Sequence, residues 1–167
     1  MLKKAVFLDR DGVLNKDFGY VHKIIDIKWI DGAIDTIKLF NKLNYLVFVV
    51  TNQSGVARNY YSEDDVIKLH LWMKDFLKKN GAVVNQFSYC PHYPLAKIEK
   101  YRKDCFCRKP NPGMIVKLIN SWQIDKKVSF LIGDKISDVK AANTAGIQGY
   151  KFNCENLFKY TKDIMDL

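Results

Sequence analysis

The sequence lacks any long hydrophobic run. Its longest, Tyr45–Val50, is far shorter than the roughly 20 residues that a membrane-spanning helix requires. Near the first residue, the apolar stretch Ala5–Leu8 ends at an Asp-Arg-Asp triplet, so no signal-peptide core is present. Internal repeats, low-complexity tracts and Gly/Ser linkers are also absent. We therefore expect a cytoplasmic protein without a membrane anchor, folded as a single domain over residues 1–167 and acting as a monomer.

Arginine is scarce in a basic chain. There are 27 Lys and Arg against 18 Asp and Glu, a formal charge of +9, but arginine occurs only at positions 10, 58, 102 and 108. Proteins that read bases rely on the planar fork of arginine, and the lysines here are scattered. We therefore expect a solvated lysine-rich surface rather than a nucleic-acid partner, and the charge remains compatible with a small anionic substrate.

Strand and helix patterns alternate along the chain, and 13% aromatic residues exclude disorder. Strands are predicted at Lys4–Leu8, Tyr45–Thr51, Gln86–Cys90, Val128–Ile132 and Gly149–Phe152. Helices are predicted at Ala33–Leu43, from a Ser62 cap to about Lys79, at Met114–Trp122 and at Ser137–Ala145. This order indicates an α/β protein with a Rossmann-like three-layer fold and a mostly parallel central sheet, whose ligands bind beyond the carboxyl ends of the strands.

Polar clusters stand at those strand ends and before one helix. They are Asp9–Gly12, Thr51–Gly55, Gly133-Asp134 with Asp138, and Cys107–Pro110, which contains Lys109. Each cluster alone is an ordinary turn or helix cap. Together they favour one reaction centre at one edge of the sheet.

The residue types in these clusters suit phosphoryl transfer. Asp9 and Asp11 point the same way in extended backbone, and a carboxylate can attack phosphorus to give an aspartyl-phosphate. Asp9 with Asp134 offers the hard oxygen ligands that Mg²⁺ prefers. The groups expected to hold phosphoryl oxygens are the side chains of Thr51, Asn52 and Lys109.

A Cys/His cluster with the pattern C-x-H-x12-C-x-C lies in a segment of weak periodicity, residues 90–107, called here the Cys/His loop. Its candidate ligands are Cys90, His92, Cys105 and Cys107. Four such ligands in two close pairs suit a closed tetrahedral Zn²⁺ site. Free thiols, a catalytic thiol and a disulfide are the alternatives, and a disulfide fits a reducing compartment poorly. Cys154 stands apart, and we expect it to be a small buried residue.

The ordered motifs Asp9-x-Asp11-Gly12, Thr51-Asn52, Lys109 and Gly133-Asp134-x3-Asp138 resemble those of the haloacid dehalogenase (HAD) superfamily of phosphatases. The resemblance implies that Asp9 is the nucleophile and that Asp11 is the general acid and base. It also implies that Thr51 and Lys109 steady the phosphoryl group and that Asp134 completes a Mg²⁺ site with Asp9 and the Asp11 carbonyl. The role of Asp138 is less defined: orienting Lys109 or Lys135.

The segment between Asn15 and Tyr45 is too short for a separate cap domain, so loops must select the substrate. Five loop motifs are found in order: Asp9–Asn15, Gly19–His22, Thr51–Arg58, Cys90-Pro91-His92-x-Pro94 and Cys107–Met114. Together they resemble the bacterial D,D-heptose 1,7-bisphosphate phosphatases, which remove the C7 phosphate during synthesis of nucleotide-activated heptose for lipopolysaccharide or surface glycan. That resemblance implies a structural zinc and a sugar bisphosphate substrate, with Arg108 suited to the remote C1 phosphate. The implied substrate contacts are Asp17, Phe18, Gly19, Tyr20, Asn52, Gln53, Ser54, Arg108 and Lys135.

Other functions stay open at this level. Histidinol-phosphate phosphatases share the aspartates and a similar cysteine-rich loop, and a polynucleotide 3′-phosphatase would suit the charge of +9. A zinc-dependent nucleic-acid-binding module is the non-enzymatic alternative, but it would allow loss of an aspartate and none is lost. Asn59 stands where the resembled enzymes commonly have Gly, which is tolerable if the turn requires positive φ.

Overall fold

The computed structural model describes all 167 residues and contains a five-stranded parallel sheet. The strands are β1 (Ala5–Leu8), β2 (Leu46–Asn52), β3 (Gln86–Cys90), β4 (Phe130–Gly133) and β5 (Gln148–Lys151). Their order across the sheet is β3-β2-β1-β4-β5, and every neighbouring pair is parallel. The sheet, expected to be mostly parallel, is thus parallel throughout, and its central strands β1 and β4 are fully buried because both faces of the sheet are covered.

Five α-helices cover the sheet: α1 (Ala33–Lys42), α2 (Glu63–Lys79), α3 (Gly113–Trp122), α4 (Ile136–Ala145) and α5 (Leu157–Ile164). One core joins α1, α5 and the end of α2 to side chains such as Val6 and Val47. The other joins α3 and α4 to the opposite sheet face through side chains such as Phe7 and Phe48. This arrangement confirms the three-layer fold.

Local signals explain the start of α2 and the end of α4. Ser62 and Asp65 form the capping box expected at the start of α2, with Asp65 N 3.1 Å from Ser62 Oγ. Gly146 ends α4 in the left-handed region. Asn59 has a φ of +62°, which confirms the reason for accepting Asn at that turn.

Three expectations need correction. Strand β4 begins at Phe130 rather than Val128, because Lys126–Val128 form a short 3-10 turn capped by Asp125. Helix α5 was not expected from the sequence; it packs its Leu157 against the core beneath α1. Cys154 is exposed rather than buried, since it lies in the loop that precedes α5.

The topology brings the polar clusters to one edge. Strands β1, β2 and β4 are neighbours, so the residues after their carboxyl ends converge. Residues 9–32, between β1 and α1, form loops and one 3-10 turn, without a cap domain. No helix has the length and apolar character needed to cross a membrane.

Candidate active site

A polar cavity of about 580 Å³ lies beyond the carboxyl ends of β1, β2 and β4. Its lining contains twelve residues that the sequence analysis selected: Asp9, Asp11, Asp17, Gly19, Tyr20, Thr51, Asn52, Gln53, Ser54, Arg108, Lys109 and Lys135. Phe18 does not belong to this lining and its side chain is exposed. Asp134 lies just behind the lining, against Asp9.

Lys109 lies between two buried carboxylates at the floor of the cavity. Its Nζ is 2.8 Å from Asp9 Oδ1 and 2.6 Å from Asp138 Oδ1, and it also donates to the Val50 carbonyl at 2.7 Å. Burial by itself would lower the pKa of Lys109, but Asp9 and Asp138 outweigh it and raise the pKa. The lysine is therefore a fixed ammonium beside the candidate nucleophile, and Asp138 orients it.

The pKa of Asp9 is raised to about 7, because burial disfavours its charged form more strongly than Lys109 favours it. Burial also raises the pKa of Asp134. An added cation would favour the carboxylate forms of both residues, and a nucleophilic carboxylate must be charged.

The donor set around Asp9 fits a hard divalent cation. One oxygen each from Asp9, Asp134 and Asp138 lies within 4.8 Å of the others. Asp134 Oδ1 is buried and has no hydrogen-bond partner. Three carboxylates around one buried ammonium leave an excess of negative charge, which a divalent cation would neutralise. A buried carboxylate oxygen without a hydrogen-bond partner is also suited to be a Mg²⁺ ligand.

Gly12 makes room for this carboxylate. Its φ is +87°, and a Cβ at this position would lie 2.3 Å from Asp134 Oδ2. The turn after Asp11 therefore needs glycine for two reasons, its left-handed backbone and the close approach of Asp134.

Asp11 is held by donors on every side. Its Oδ1 accepts from Arg10 Nε, Arg10 Nη2 and Asn15 Nδ2 at 3.2, 3.0 and 2.9 Å. Its Oδ2 accepts from Arg10 Nη2 at 3.0 Å and from Gln53 Nε2 at 3.1 Å. The carboxyl group is thus fixed next to Asp9 while it still lines the cavity.

The residues at the end of β2 line the cavity and also bind the backbone of Lys109. Thr51 Oγ1 accepts from Gln53 Nε2 at 2.9 Å. Asn52 uses its side-chain Nδ2 and Oδ1 on the backbone O and N of Lys109, at 2.9 and 3.0 Å. Asn52, expected to hold phosphoryl oxygens, therefore uses its amide to fix the backbone of Lys109.

Cations stand at the cavity rim. Lys135 Nζ lies 3.3 Å from Asp17 Oδ2, so the rim carboxylate is paired. The Arg108 guanidinium lies 5.3 Å from the centre of the Tyr93 ring and donates to the His92 carbonyl at 3.3 Å. Arg108 thus faces the cavity without a carboxylate partner among the salt bridges of the chain.

The Cys/His loop brings its four candidate ligands together. The six distances among Cys90 Sγ, His92 Nδ1, Cys105 Sγ and Cys107 Sγ run from 2.7 to 3.6 Å. All exceed a disulfide bond length, and the four atoms form a tetrahedron slightly smaller than the ~3.8 Å edges implied by Zn–S bonds of ~2.3 Å. The cluster is therefore compatible with a metal site.

A thiolate is already favoured in this cluster. The pKa of Cys107 is lowered to about 5, chiefly by the hydrogen bond that it shares with Cys90, with further contributions from Cys105 and His92. Metals bind cysteine as thiolate. Because Cys90 ends β3 and Cys107 directly precedes Arg108 and Lys109, the cluster connects the sheet to the segment that carries both cations.

Some residues of the site escaped the sequence analysis. Tyr61 lines the cavity and donates to Gln53 Oε1 at 2.7 Å, while His70 contacts Arg10 from α2. Arg10 belongs to the Asp9–Gly12 cluster, but the sequence alone assigned it no role. A charged residue within an otherwise buried strand end is a usable signal, since such a residue needs partners from elsewhere in the chain.

The sequence of this chain is similar to those of known proteins. A HAD-hydrolase-like family model matches residues 106–151. The D-glycero-beta-D-manno-heptose-1,7-bisphosphate 7-phosphatase of Rhodopseudomonas palustris is 44% identical over 163 residues, 98% of this chain and 91% of the relative. A D-glycero-alpha-D-manno-heptose-1,7-bisphosphate 7-phosphatase of Photorhabdus laumondii is 44% identical over 86% of this chain and 79% of its own.

A solved structure agrees with the fold as well. The D,D-heptose 1,7-bisphosphate phosphatase from B. bronchiseptica, complexed with magnesium and phosphate, has a TM-score of 0.85 and 27% identity, over 98% of both chains. The alignments span the aspartates, the Cys/His loop and the cations at the rim rather than one motif alone. The chain belongs to the heptose-1,7-bisphosphate 7-phosphatase family of HAD-like hydrolases.

Proposed function

We propose that the chain is a Mg²⁺-dependent phosphatase that hydrolyses the C7 phosphate of D-glycero-D-manno-heptose 1,7-bisphosphate and releases heptose 1-phosphate. The observation that carries this proposal is the buried Asp9–Lys109–Asp138 cluster beside the unpartnered oxygen of Asp134. The names of the relatives supply the substrate. All 167 residues would form one phosphatase domain that acts as a monomer.

The chemistry divides between the two aspartates. Asp9 attacks the phosphorus of the C7 phosphate, forming an Asp9–phosphorus bond as the bond to the sugar oxygen breaks. Asp11 gives its proton to that leaving oxygen. Asp11 then accepts a proton from the water that attacks the aspartyl-phosphate, so that phosphate leaves and the Asp9 carboxylate is restored.

The surrounding groups stabilise the charge that is transferred. Lys109 and Thr51 face the phosphoryl oxygens, and the ammonium of Lys109 needs no reorganisation because Asp138 and Val50 already hold it. Asp9, Asp134 and the Asp11 carbonyl would hold Mg²⁺, which when bound supplies positive charge to the phosphoryl group. Zn²⁺ in the Cys/His loop would be structural, because its four ligands leave no open position.

The rim charges favour a bisphosphate over histidinol phosphate. Arg108 and Lys135 line the cavity, and the rim carboxylate of Asp17 is paired with Lys135. A second phosphate would meet the Arg108 guanidinium, which has no carboxylate partner, whereas the amine of histidinol phosphate would need an unpaired carboxylate. The implied sugar contacts are Asp17, Gly19, Tyr20, Gln53 and Ser54.

A phosphate-release assay tests the proposal. It compares both anomers of heptose 1,7-bisphosphate with histidinol phosphate and a 3′-phosphorylated oligonucleotide, and we expect the heptose substrate to have the highest kcat/KM. Asp9→Asn should abolish turnover while the fold is retained, and beryllium fluoride with Mg²⁺ should label Asp9 in the wild type. Full activity in Asp9→Asn, or a preference for either competing substrate, contradicts the proposal.

A further inference from the structure

Arg10 is the largest side chain that is completely buried in the protein. It stands between the candidate nucleophile and the candidate general acid, in a strand end that otherwise contributes to the core. A guanidinium carries five N–H donors and stays charged in proteins, so its burial is tolerable only where those donors meet acceptors. The hydrogen-bond partners of Arg10 therefore indicate its role.

Most of the hydrogen bonds of Arg10 go to Asp11. Three bonds of 3.0–3.2 Å run from Arg10 Nε and Nη2 to the Asp11 carboxylate. Nη2 also donates to the Val21 carbonyl at 2.6 Å, and Nη1 lies 3.1 Å from His70 Nε2. The planar fork is therefore fixed at both ends, by Asp11 on one side and His70 on the other.

His70 joins this network from a distant part of the chain, 60 residues after Arg10. It lies on α2, is 6% exposed, and stacks on Phe87 of β3 with ring centres 4.9 Å apart. Burial and the neighbouring Arg10 lower its pKa to about 3. The imidazole is thus neutral, and its Nε2 can accept the hydrogen bond that Arg10 offers.

We propose that Arg10 and His70 are positioning residues that hold the Asp11 carboxyl group at the leaving oxygen. Oδ1 accepts from three donors and Oδ2 from two, so these hydrogen bonds fix the orientation of the Asp11 carboxyl group. Misplacing a proton donor by about 1 Å can cost a factor of ~10² in rate. The inference rests on the proposed function, in which Asp11 protonates the departing alcohol.

Substrates whose leaving groups differ in basicity distinguish a residue that positions the proton donor from one that only stabilises the fold. A sugar alkoxide needs a proton as it departs, whereas p-nitrophenolate leaves without one. The value of kcat/KM reports steps up to formation of the aspartyl-phosphate, so later hydrolysis does not enter the comparison. The ratio of kcat/KM for heptose bisphosphate to that for p-nitrophenyl phosphate therefore measures the contribution of the proton donor.

The test measures this ratio in Arg10→Lys, His70→Leu and His70→Gln, with Arg102→Lys as a matched control. Arg102 donates only to the Ala96 and Lys97 carbonyls in the Cys/His loop. We expect Arg10→Lys to lower the ratio about ten- to a hundredfold and His70→Leu to lower it less. His70→Gln, which keeps a neutral acceptor, should restore most of the loss, and Arg102→Lys should leave the ratio as in the wild type.

Asp11→Asn, measured alongside, separates a failure of the proposed role of Asp11 from a failure of the positioning role of Arg10 and His70. If Asp11→Asn lowers both substrates equally, the proposed role of Asp11 fails. If Asp11→Asn lowers the ratio but Arg10→Lys and His70→Leu affect both substrates equally, only the positioning role fails. Should His70→Leu not fold, as judged by thermal melting, Arg10→Lys decides the question alone.

Discussion

Lys109 Nζ lies 2.8 Å from Asp9 Oδ1, although 100 residues separate them in the chain. The same ammonium contacts Asp138 at the start of α4, so one lysine connects the ends of β1 and β4 and the segment after the Cys/His loop. The pair serves two purposes at once. It neutralises a buried carboxylate and, in the proposed mechanism, places a cation where phosphoryl charge develops.

Replacing Lys109 by Met should damage stability and catalysis together. The variant leaves Asp9 and Asp138 buried without their counterion, which typically costs about 3–5 kcal/mol of unfolding free energy. Loss of the cation should lower kcat by about 10²–10³, equally for sugar monophosphates and bisphosphates. Urea unfolding and steady-state kinetics check both. Lys135→Met is the control: its side chain is 58% exposed, so stability should stay near that of the wild type, and a comparable loss there would refute the distinction.

Arg108→Ala should separate recognition from chemistry. If Arg108 holds the phosphate that is not cleaved, its removal should lower kcat/KM for a sugar bisphosphate about ten- to a hundredfold, from a charged hydrogen bond of about 1.5–3 kcal/mol. A matching monophosphate should be affected little. Arg102→Ala, within the Cys/His loop but outside the cavity lining, should show no such selectivity. Equal losses for both substrates in Arg108→Ala would point to a packing role and favour histidinol phosphate.

Protein purified without chelator should contain one tightly bound zinc per chain. Cys107→Ser should lose it, lower the Tm and reduce activity through Arg108 and Lys109, because a metal held there would connect the loop to the end of β3. Cys154→Ser, which alters an exposed cysteine outside the cluster, should retain both metal and Tm. Elemental analysis and thermal melting measure these quantities, and metal-free active protein would contradict a structural zinc.

Gly12→Ala should disturb the candidate Mg²⁺ site directly. Its Cβ would lie 2.3 Å from Asp134 Oδ2, so the carboxylate must move. Gly81→Ala is a matched control, because Gly81 also has positive φ but its Cβ would meet only a lysine side chain at 3.8 Å. Both variants should lose about 1–2 kcal/mol of stability from backbone strain. Only Gly12→Ala should need much more Mg²⁺ for half-maximal activity, which a magnesium titration measures.

His70 should make the protein sensitive to mild acid. Its pKa is about 3 in the folded protein and about 6.5 in an unfolded chain, so between these values the unfolded state binds more protons. Its contribution is complete above pH 6.5 and is lost as the pH falls. From pH 7 to pH 5 the unfolding free energy should decrease by about 2 kcal/mol more in the wild type than in His70→Gln. Identical pH profiles from urea unfolding would show that His70 is not buried as a neutral group.

Local sequence determined much of this protein. The alternation of apolar runs and amphipathic segments predicted all five strands and four of the five helices, because burial on two faces or on one face imposes different periods. The aspartates, Lys109 and the paired cysteines were recognisable because their chemistry requires those residue types at strand ends and at short spacing. Helix α5 escaped prediction because its burial depends on α1, a distant segment.

Only the tertiary structure decided what each polar group contacts. Asn52 reads as a phosphate ligand in the sequence, but its amide pairs with the Lys109 backbone 57 residues away. Arg10 meets His70 only because the fold brings α2 beside it, 60 residues along the chain. Hydrogen-bond partners at such separations are set by how the layers pack, since a buried donor takes whichever acceptor the fold brings within about 3 Å. Sequence therefore determined which chemistry is present, and packing determined which atoms perform it.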